Sequence, residues 1–327
     1  MHRLSALLFA SVLLTACTND DKTSSETVST DSQTTVQTVA PTDETTNPPT
    51  TDTAAVEAEQ AAQLVAQRPY QTYVPASYDA ATEMPLVLGL HGFMSNSTDL
   101  QNYLQFEPLA DQYGFLYALP DGTKNADGDE FWNATDACCG GDSTVDDSTY
   151  LRAVIDDMKA KYNVDPKRVY IVGFSNGGFM AYRMACDHAD AIAAIISIGA
   201  ATFDNPADCA PSEPVSILDV HGNADNTINI GGGTFMGTSP YPAQDYTAYY
   251  WALYDGCPGD GIDYVDTGDY DMDPNLGGAE TNVRVYGPCA ANTSVETWLV
   301  KGGAHAPTLL TSTTDTFVKF LFAHPKA

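Results

Sequence analysis

Residues Val169-Tyr170-Ile171-Val172-Gly173-Phe174-Ser175-Asn176-Gly177-Gly178 are the most constraining segment of the chain. An apolar, β-branched run enters a Gly-x-Ser-x-Gly string and continues into a helical pattern from Phe179 to Cys186. A sharp turn from strand to helix needs small residues on both sides of the serine, because strand and helix pass close together there. The flanking sequence repeats this alternation. Apolar runs at 71–75, 86–90, 115–119, 192–198, 216–220 and 295–300 are bounded by Gly and Pro and separated by longer segments of helical period. Such alternation predicts an α/β fold, a mostly parallel sheet covered by helices on both faces. The clearest helix is expected from Asp147 to Tyr162, with Leu151, Val154, Ile155 and Met158 on one face and Asp146 or Asp147 at its cap. With no internal repeat, residues 67–327 fit one domain.

The first 66 residues read differently. Leu4 to Leu14 is apolar, too short for a permanent membrane span and of the right length for a signal segment, so residues 1–16 are expected to be removed. Leu14-Thr15-Ala16-Cys17 resembles the bacterial lipobox, which would make Cys17 a lipidated N-terminus; a cut at an ordinary small-residue site is the alternative. By resemblance to Gram-negative lipoproteins, Thr18 rather than Asp after the cysteine implies the outer membrane, so the expected location is an outer-membrane lipoprotein or an extracellular protein of a bacterium. Residues 17–66 are a Thr/Ser/Asp-rich tether, poor in large apolar side chains, with a short helix expected over 54–66.

Fourteen basic residues against 43 acidic ones give a net charge of −29. That balance repels phosphate backbones and excludes nucleic acid as a partner. Seven cysteines are present; apart from Cys17 they number six, an even set in a chain bearing an export signal. Loop closure favours Cys186 with Cys209 and Cys257 with Cys289, leaving Cys138 and Cys139 as a vicinal pair. Neither CxxC nor HxxxH spacing supports a zinc site, and neither metal nor cofactor is expected.

Ser175 on its tight turn is the candidate nucleophile, and a serine hydroxyl needs a base oriented by an acid. His305 stands in the Gly-rich loop Lys301-Gly302-Gly303-Ala304-His305 after the last strand, the place of the base in a Ser, acid, His chain order. Asp225 follows the strand Ser216 to Val220 and is the candidate acid; its rival Asp219 falls within the strand. The strand ending Leu90-His91-Gly92-Phe93 predicts an oxyanion donor at the Phe93 N–H, paired with the N–H of Asn176. His91 is read as stabilising its loop. Trp132 and Asn133 are candidate substrate contacts, with a core role for Trp132 as the alternative.

Taken in order, Leu90-His91-Gly92, Pro120-Asp121-Gly122, Trp132-Asn133, Cys138-Cys139-Gly140, Val145-Asp146-Asp147, the Ser175 motif, His221-Gly222-x-Ala224-Asp225 and Gly302-Gly303-x-His305 resemble the secreted polyhydroxybutyrate-depolymerase and feruloyl-esterase-like branch of the α/β-hydrolases. The resemblance covers about residues 68–322. It implies hydrolysis of carboxylic esters through an acyl-enzyme on Ser175, with feruloyl or acetyl esters of plant polysaccharide as the expected substrates and polyester as the alternative. Members commonly carry an aromatic residue and Pro after the base; here the string is His305-Ala306-Pro307, which implies a more open wall. A reading from another class is a non-catalytic polysaccharide-binding surface lipoprotein, favoured only if a triad member were missing. The protein is expected to act as a monomer.

Two long stretches, 231–242 and 254–288, are rich in Gly and acidic residues and are expected to be loops. Asp269 and Glu280 imitate the ends of a calcium loop, but Pro274 stands where such a loop needs Gly, so the segment is read as a solvated acidic loop without metal.

Overall fold

The computed structural model describes residues 53–139, 144–237, 239–258 and 264–327. The signal segment, Cys17, the tether up to residue 52 and Gly140 lie outside the described residues.

The centre of the fold is a nine-stranded sheet. In chain order its strands are β1 (Gln71–Tyr73), β2 (Met84–Leu90), β3 (Leu116–Leu119), β6 (Val164–Phe174), β7 (Ala194–Ile198), β8 (Ser216–Gly222), β11 (Val265–Tyr270), β12 (Thr281–Tyr286) and β13 (Val295–Val300), and across the sheet they run β1-β3-β2-β6-β7-β8-β13-β12-β11. Every pairing from β3 to β13 is parallel, while β1 at one end and β12 and β11 at the other are antiparallel. Two short hairpins stand apart, β4 (Thr123–Lys124) with β5 (Glu130–Phe131) and β9 (Gly233–Thr234) with β10 (Pro240–Tyr241). The helices are α1 (Thr53–Gln67), α2 (Ser97–Leu104), α3 (Phe106–Tyr113), α4 (Asp147–Lys161), α5 (Asn176–Asp187), α6 (Gln244–Tyr254) and α7 (Thr311–Ala323).

Side-chain alternation along the strands divides the core in two. Leu86, Leu88 and Ile171 point to a cluster with Phe179, Tyr182 and Trp251. Their neighbours Val87, Tyr170 and Val172 point to the opposite cluster, with Phe106, Phe317 and Leu321. Both faces are apolar because both are covered, which is why these strands read as continuous hydrophobic runs. The helix expected at Asp147 is α4, and Asp146 caps it by accepting the Thr149 N–H at 3.0 Å.

Two expectations are corrected. Helix α1 starts at Thr53 and packs on α4, so the folded region begins before Gln67. The stretch 254–288 is not a single loop, since β11 and β12 extend the sheet from it. Strand β12 carries the alternation Thr281-Asn282-Val283-Arg284-Val285-Tyr286, but the acidic residues and Gly268 of β11 hide its strand character. An exposed edge strand gains nothing from apolar residues and is protected by charge. The stretch 231–242 holds the β9–β10 hairpin.

Candidate active site

Strand β6 ends at Phe174, and Ser175 sits on the turn with φ 53° and ψ −119° before α5 begins. This is a sparsely populated backbone conformation, held by close packing on both sides. A methyl group at Gly173 would overlap the Gly177 carbonyl, and one at Gly177 would overlap the Leu90 carbonyl. Both glycines are therefore fixed by sterics, and the serine is lifted to the C-terminal end of the sheet.

The structure brings the three separated candidates together. Ser175 Oγ lies 2.8 Å from His305 Nε2, and His305 Nδ1 lies 2.7 Å from Asp225 Oδ2. The other carboxylate oxygen, Oδ1, accepts the N–H groups of Thr227 at 2.7 Å and Ile228 at 2.8 Å. Burial opposes charge on Asp225, but hydrogen bonds from His221 and His305 outweigh it and hold the carboxyl well below the usual carboxylate range. Asp219 is inside β8, where its Oδ2 accepts from the Tyr182 hydroxyl at 2.8 Å and its Oδ1 from Gln244 at 3.2 Å. Burial pushes its carboxyl up to about 6, while the His305 ring nitrogens are directed at Asp225 and Ser175.

The loop after β2 passes directly beside the serine: a methyl group at Gly92 would sit 3.4 Å from Ser175 Cβ. Phe93 thus follows on one side of Ser175 and Asn176 on the other. His91 is fully buried, and burial lowers its pKa. Its Nε2 accepts the Gly122 N–H at 2.9 Å, so the ring proton is on Nδ1, which donates to the Gly92 carbonyl at 2.7 Å. The ring fixes two loops to each other, as expected.

Trp132 is a correction. It is wholly buried in the core, with its indole N–H on the His91 carbonyl at 3.0 Å, and it is not open to a substrate. Asn133 is likewise committed to structure: its N–H donates to Asp147 at 2.7 Å and its side-chain amide to the Val145 carbonyl at 2.8 Å. The cysteines pair as Cys138–Cys139, Cys186–Cys209 and Cys257–Cys289, and Cys138 Sγ lies 3.7 Å from the Asn176 amide.

With only Ala306 after His305, the aromatic packing on the imidazole comes from elsewhere in the chain. The Phe174 ring lies 5.2 Å from the His305 ring, Tyr103 packs behind Phe174, and the Tyr103 hydroxyl donates to the Pro307 carbonyl at 2.9 Å. The acidic stretch also serves this loop. Glu280 Oε1 accepts the N–H groups of Met272 at 3.1 Å and Asp273 at 3.0 Å, and Asp273 Oδ2 accepts the Thr308 N–H at 2.9 Å. Asp273 and Glu280 are buried rather than solvated, and each accepts backbone N–H groups. Sequence reasoning missed this clamp and the contact of His221 with Asp225; the apolar Met272 within the acidic string is the one signal for the clamp. Among the described residues, His91, Asp121 and Glu130 approach one another closely enough to share a metal, but the Gly122 N–H occupies His91, the Ser97 N–H occupies Asp121, and Lys124 pairs with Glu130.

The family model described as Esterase PHB depolymerase matches residues 68–225, which include the serine turn and Asp225. Over this segment the chain is similar to the polyhydroxybutyrate-depolymerase esterases. A protein of Piromyces equi named feruloyl esterase B is 27% identical over 248 residues, covering 71% of this chain and 41% of that one. A bifunctional acetylxylan esterase/xylanase of Neocallimastix patriciarum is 32% identical over 164 residues, 50% of this chain and 22% of that one. The chain thus spans less than half the length of these relatives. Among solved structures, an acetyl xylan esterase from Aspergillus awamori aligns with a TM-score of 0.52 at 17% identity, over 77% of this chain and 93% of that one. A thermostable esterase aligns with a TM-score of 0.53 at 13% identity, over 79% and 59%. At these identities the likeness is one of fold.

Proposed function

We propose that the hydrolase is a serine carboxylesterase acting on feruloyl or acetyl esters carried by plant polysaccharide. The observation that carries this reading is the unbroken chain of contacts from Ser175 Oγ through His305 to Asp225. In the reaction, Ser175 Oγ attacks the ester carbonyl as its proton moves to His305 Nε2. The N–H groups of Phe93 and Asn176 receive the oxyanion. Collapse of the tetrahedral species expels the alcohol, which takes the proton from His305. A water then gives its proton to His305 and its oxygen to the acyl carbon, releasing the acid and restoring Ser175. Asp225 stays ionised and holds the imidazole with its proton on Nδ1.

The polysaccharide side of the reading is supported by a cleft of about 650 Å3 beside the β9–β10 hairpin, lined by Asp204, Tyr241, Tyr246 and Tyr250 among others. Asp204 and Pro240 continue it into a second hollow of about 190 Å3 bordered by Thr135 and Ala137, just before the vicinal cysteines. Phe235, between the two hairpin strands in the chain, packs on Phe93 with ring centroids 6.5 Å apart. Tyrosine faces and carboxylates suit a neutral polyhydroxylated chain: the rings cover sugar C–H groups and the oxygens accept from hydroxyls. The names of the relatives point the same way. A polyester is the second reading, favoured by Met94 and Met236, which are 66% and 76% exposed next to the Phe93–Phe235 contact. Export through the signal segment and lipidation at Cys17 belong to the same proposal.

The test compares hydrolysis of methyl ferulate, acetylated xylan, short p-nitrophenyl esters and a polyhydroxybutyrate film by the parent protein and Ser175→Ala. Cleavage of a polysaccharide ester that the variant lacks upholds the reading. Cleavage of the film alone moves the assignment to polyester. A folded parent inactive on all four returns the chain to the binding-lipoprotein alternative.

A further inference from the structure

Asp225 is touched by two imidazoles. His305 Nδ1 lies 2.7 Å from Oδ2, and on the other side His221 Nε2 lies 3.3 Å from the same oxygen. His221 Nε2 is also 2.8 Å from the carbonyl oxygen of Ile228. A carbonyl only accepts, so Nε2 carries the proton and one N–H is shared between Ile228 O and Asp225 Oδ2. The ring closes on itself, because the Ile228 N–H donates back to Asp225 Oδ1 at 2.8 Å. His221 is 2% exposed and is held in β8, where Leu299 of β13 is its strand partner. Its other nitrogen, Nδ1, has no hydrogen-bond partner among the described residues. Among the described residues, the hydrogen bonding of this buried ring is thus directed at Asp225 and the turn that carries it. The carboxylate of Asp219, two residues earlier on the same face of β8, is the other charge facing it.

We propose that His221 is a positioning residue of the hydrolytic site, whose shared Nε2–H locks the Asp225 carboxylate and the Ile228 carbonyl in one plane so that Oδ2 faces His305 Nδ1. This rests on the reading of Ser175, His305 and Asp225 as a catalytic triad. With Oδ1 held by Thr227 and Ile228, a carboxylate can still tilt about its own axis. The second donor on Oδ2 removes that freedom. A base pre-oriented in this way keeps its Nε2 aimed at the serine without reorganisation during the reaction. His221 does not touch the reacting atoms and acts only through Asp225.

The experiment uses the full chain with His221→Leu and His221→Gln. Two signals are followed, steady-state hydrolysis of p-nitrophenyl acetate per titrated active site and the low-field proton resonance of His305 Nδ1–H. Leu removes the donor, whereas the Gln amide places an N–H near the position of Nε2. The expected result is a kcat about tenfold lower for His221→Leu at unchanged KM, as for loss of a hydrogen bond to a charged group. The low-field line should move or broaden, and His221→Gln should recover most of both signals. Equal loss of kcat in the two variants with the line in place would overturn the proposal, as would a loss confined to the fraction of folded sites. If His221→Leu does not fold, His221→Asn, whose amide is too short to reach Oδ2, replaces it. The resonance reports on the clamp whether or not the ester is turned over. A line that responds in a protein inactive on every ester would sink the esterase reading and leave the clamp standing.

Discussion

The side chain of Asn176 grips the backbone of Trp132 from both sides, accepting its N–H at 2.6 Å and donating to its carbonyl at 2.9 Å. All four groups are buried, so the pair joins the first residue of α5 to the chain leaving β5 with no water in reserve. The residue after Ser175 is thereby held in place through its side chain.

Asn176→Ala strands both Trp132 groups in the core while keeping the backbone N–H at position 176. Two buried groups without partners cost about 1–3 kcal/mol each. Urea unfolding should show a stability loss of about 2 kcal/mol or more, with kcat for p-nitrophenyl acetate falling in the folded protein. An unchanged midpoint would mean that the reciprocal pair contributes little.

Asp273→Ala should detach the segment after the base, because Thr308 and Asn275 both donate backbone N–H groups to this carboxylate. The expected outcome is a kcat about tenfold lower with KM for a small ester unchanged, as for a misplaced catalytic group. Added calcium should not alter the parent enzyme. A calcium-dependent rate would show that Asp273 and Glu280 serve as ligands after all.

Tyr246→Ala with Tyr250→Ala tests the cleft. Tyr246 is 61% exposed, and its ring packs 6.4 Å from that of Tyr250, so removing both should leave the fold intact. KM for acetylated xylan should rise about tenfold, corresponding to roughly 1.4 kcal/mol of lost contact, with p-nitrophenyl acetate unaffected. Equal changes on both substrates would place the polymer elsewhere.

Asp255 sets a pH dependence of stability. Burial pushes its carboxyl up to about 7, against the opposing hydrogen bonds from Val215 N–H and Thr293. A raised folded-state value means that the associated stability is fully present below the unfolded value of about 3.9 and is lost as pH rises towards 7. Asp255→Asn does not ionise. Its unfolding free energy relative to the parent should therefore improve by a few kcal/mol between pH 4 and pH 8, measured by urea titration at each pH. A difference that is flat with pH would refute the assignment.

The sequence disclosed the parts of the molecule that sterics or local pattern dictate. Gly173 and Gly177 have no alternative once strand and helix meet around Ser175, and the parallel strands announce themselves because both faces are buried. Asp225 and His305 were legible from chain order. The remainder depends on contacts between distant segments. Trp132 and a pocket-lining tryptophan look alike in one dimension, and only packing shows that its indole is spent on His91. Strand β11 carries the composition of a loop because its side chains face water, and Asp273 and Glu280 look solvated until their backbone partners are known. His221 reads as the residue before a glycine at a strand end; its contact with Asp225 is made across a turn.

The exposed strand β11 also decides where the sheet stops. An open edge is a template for one more strand, and a six-residue edge is long enough to accept one. Here the would-be template bears Asp266 and Asp269, and Gly268 introduces an irregularity in the register. A second molecule approaching edge to edge would bring the same carboxylates against them, in a chain whose formal net charge is −29. Crowding many copies together, as on a shared surface, thus raises a mutual repulsion at the place where they would otherwise knit into a continuous sheet. The charge on this edge thus works against fibrous self-association.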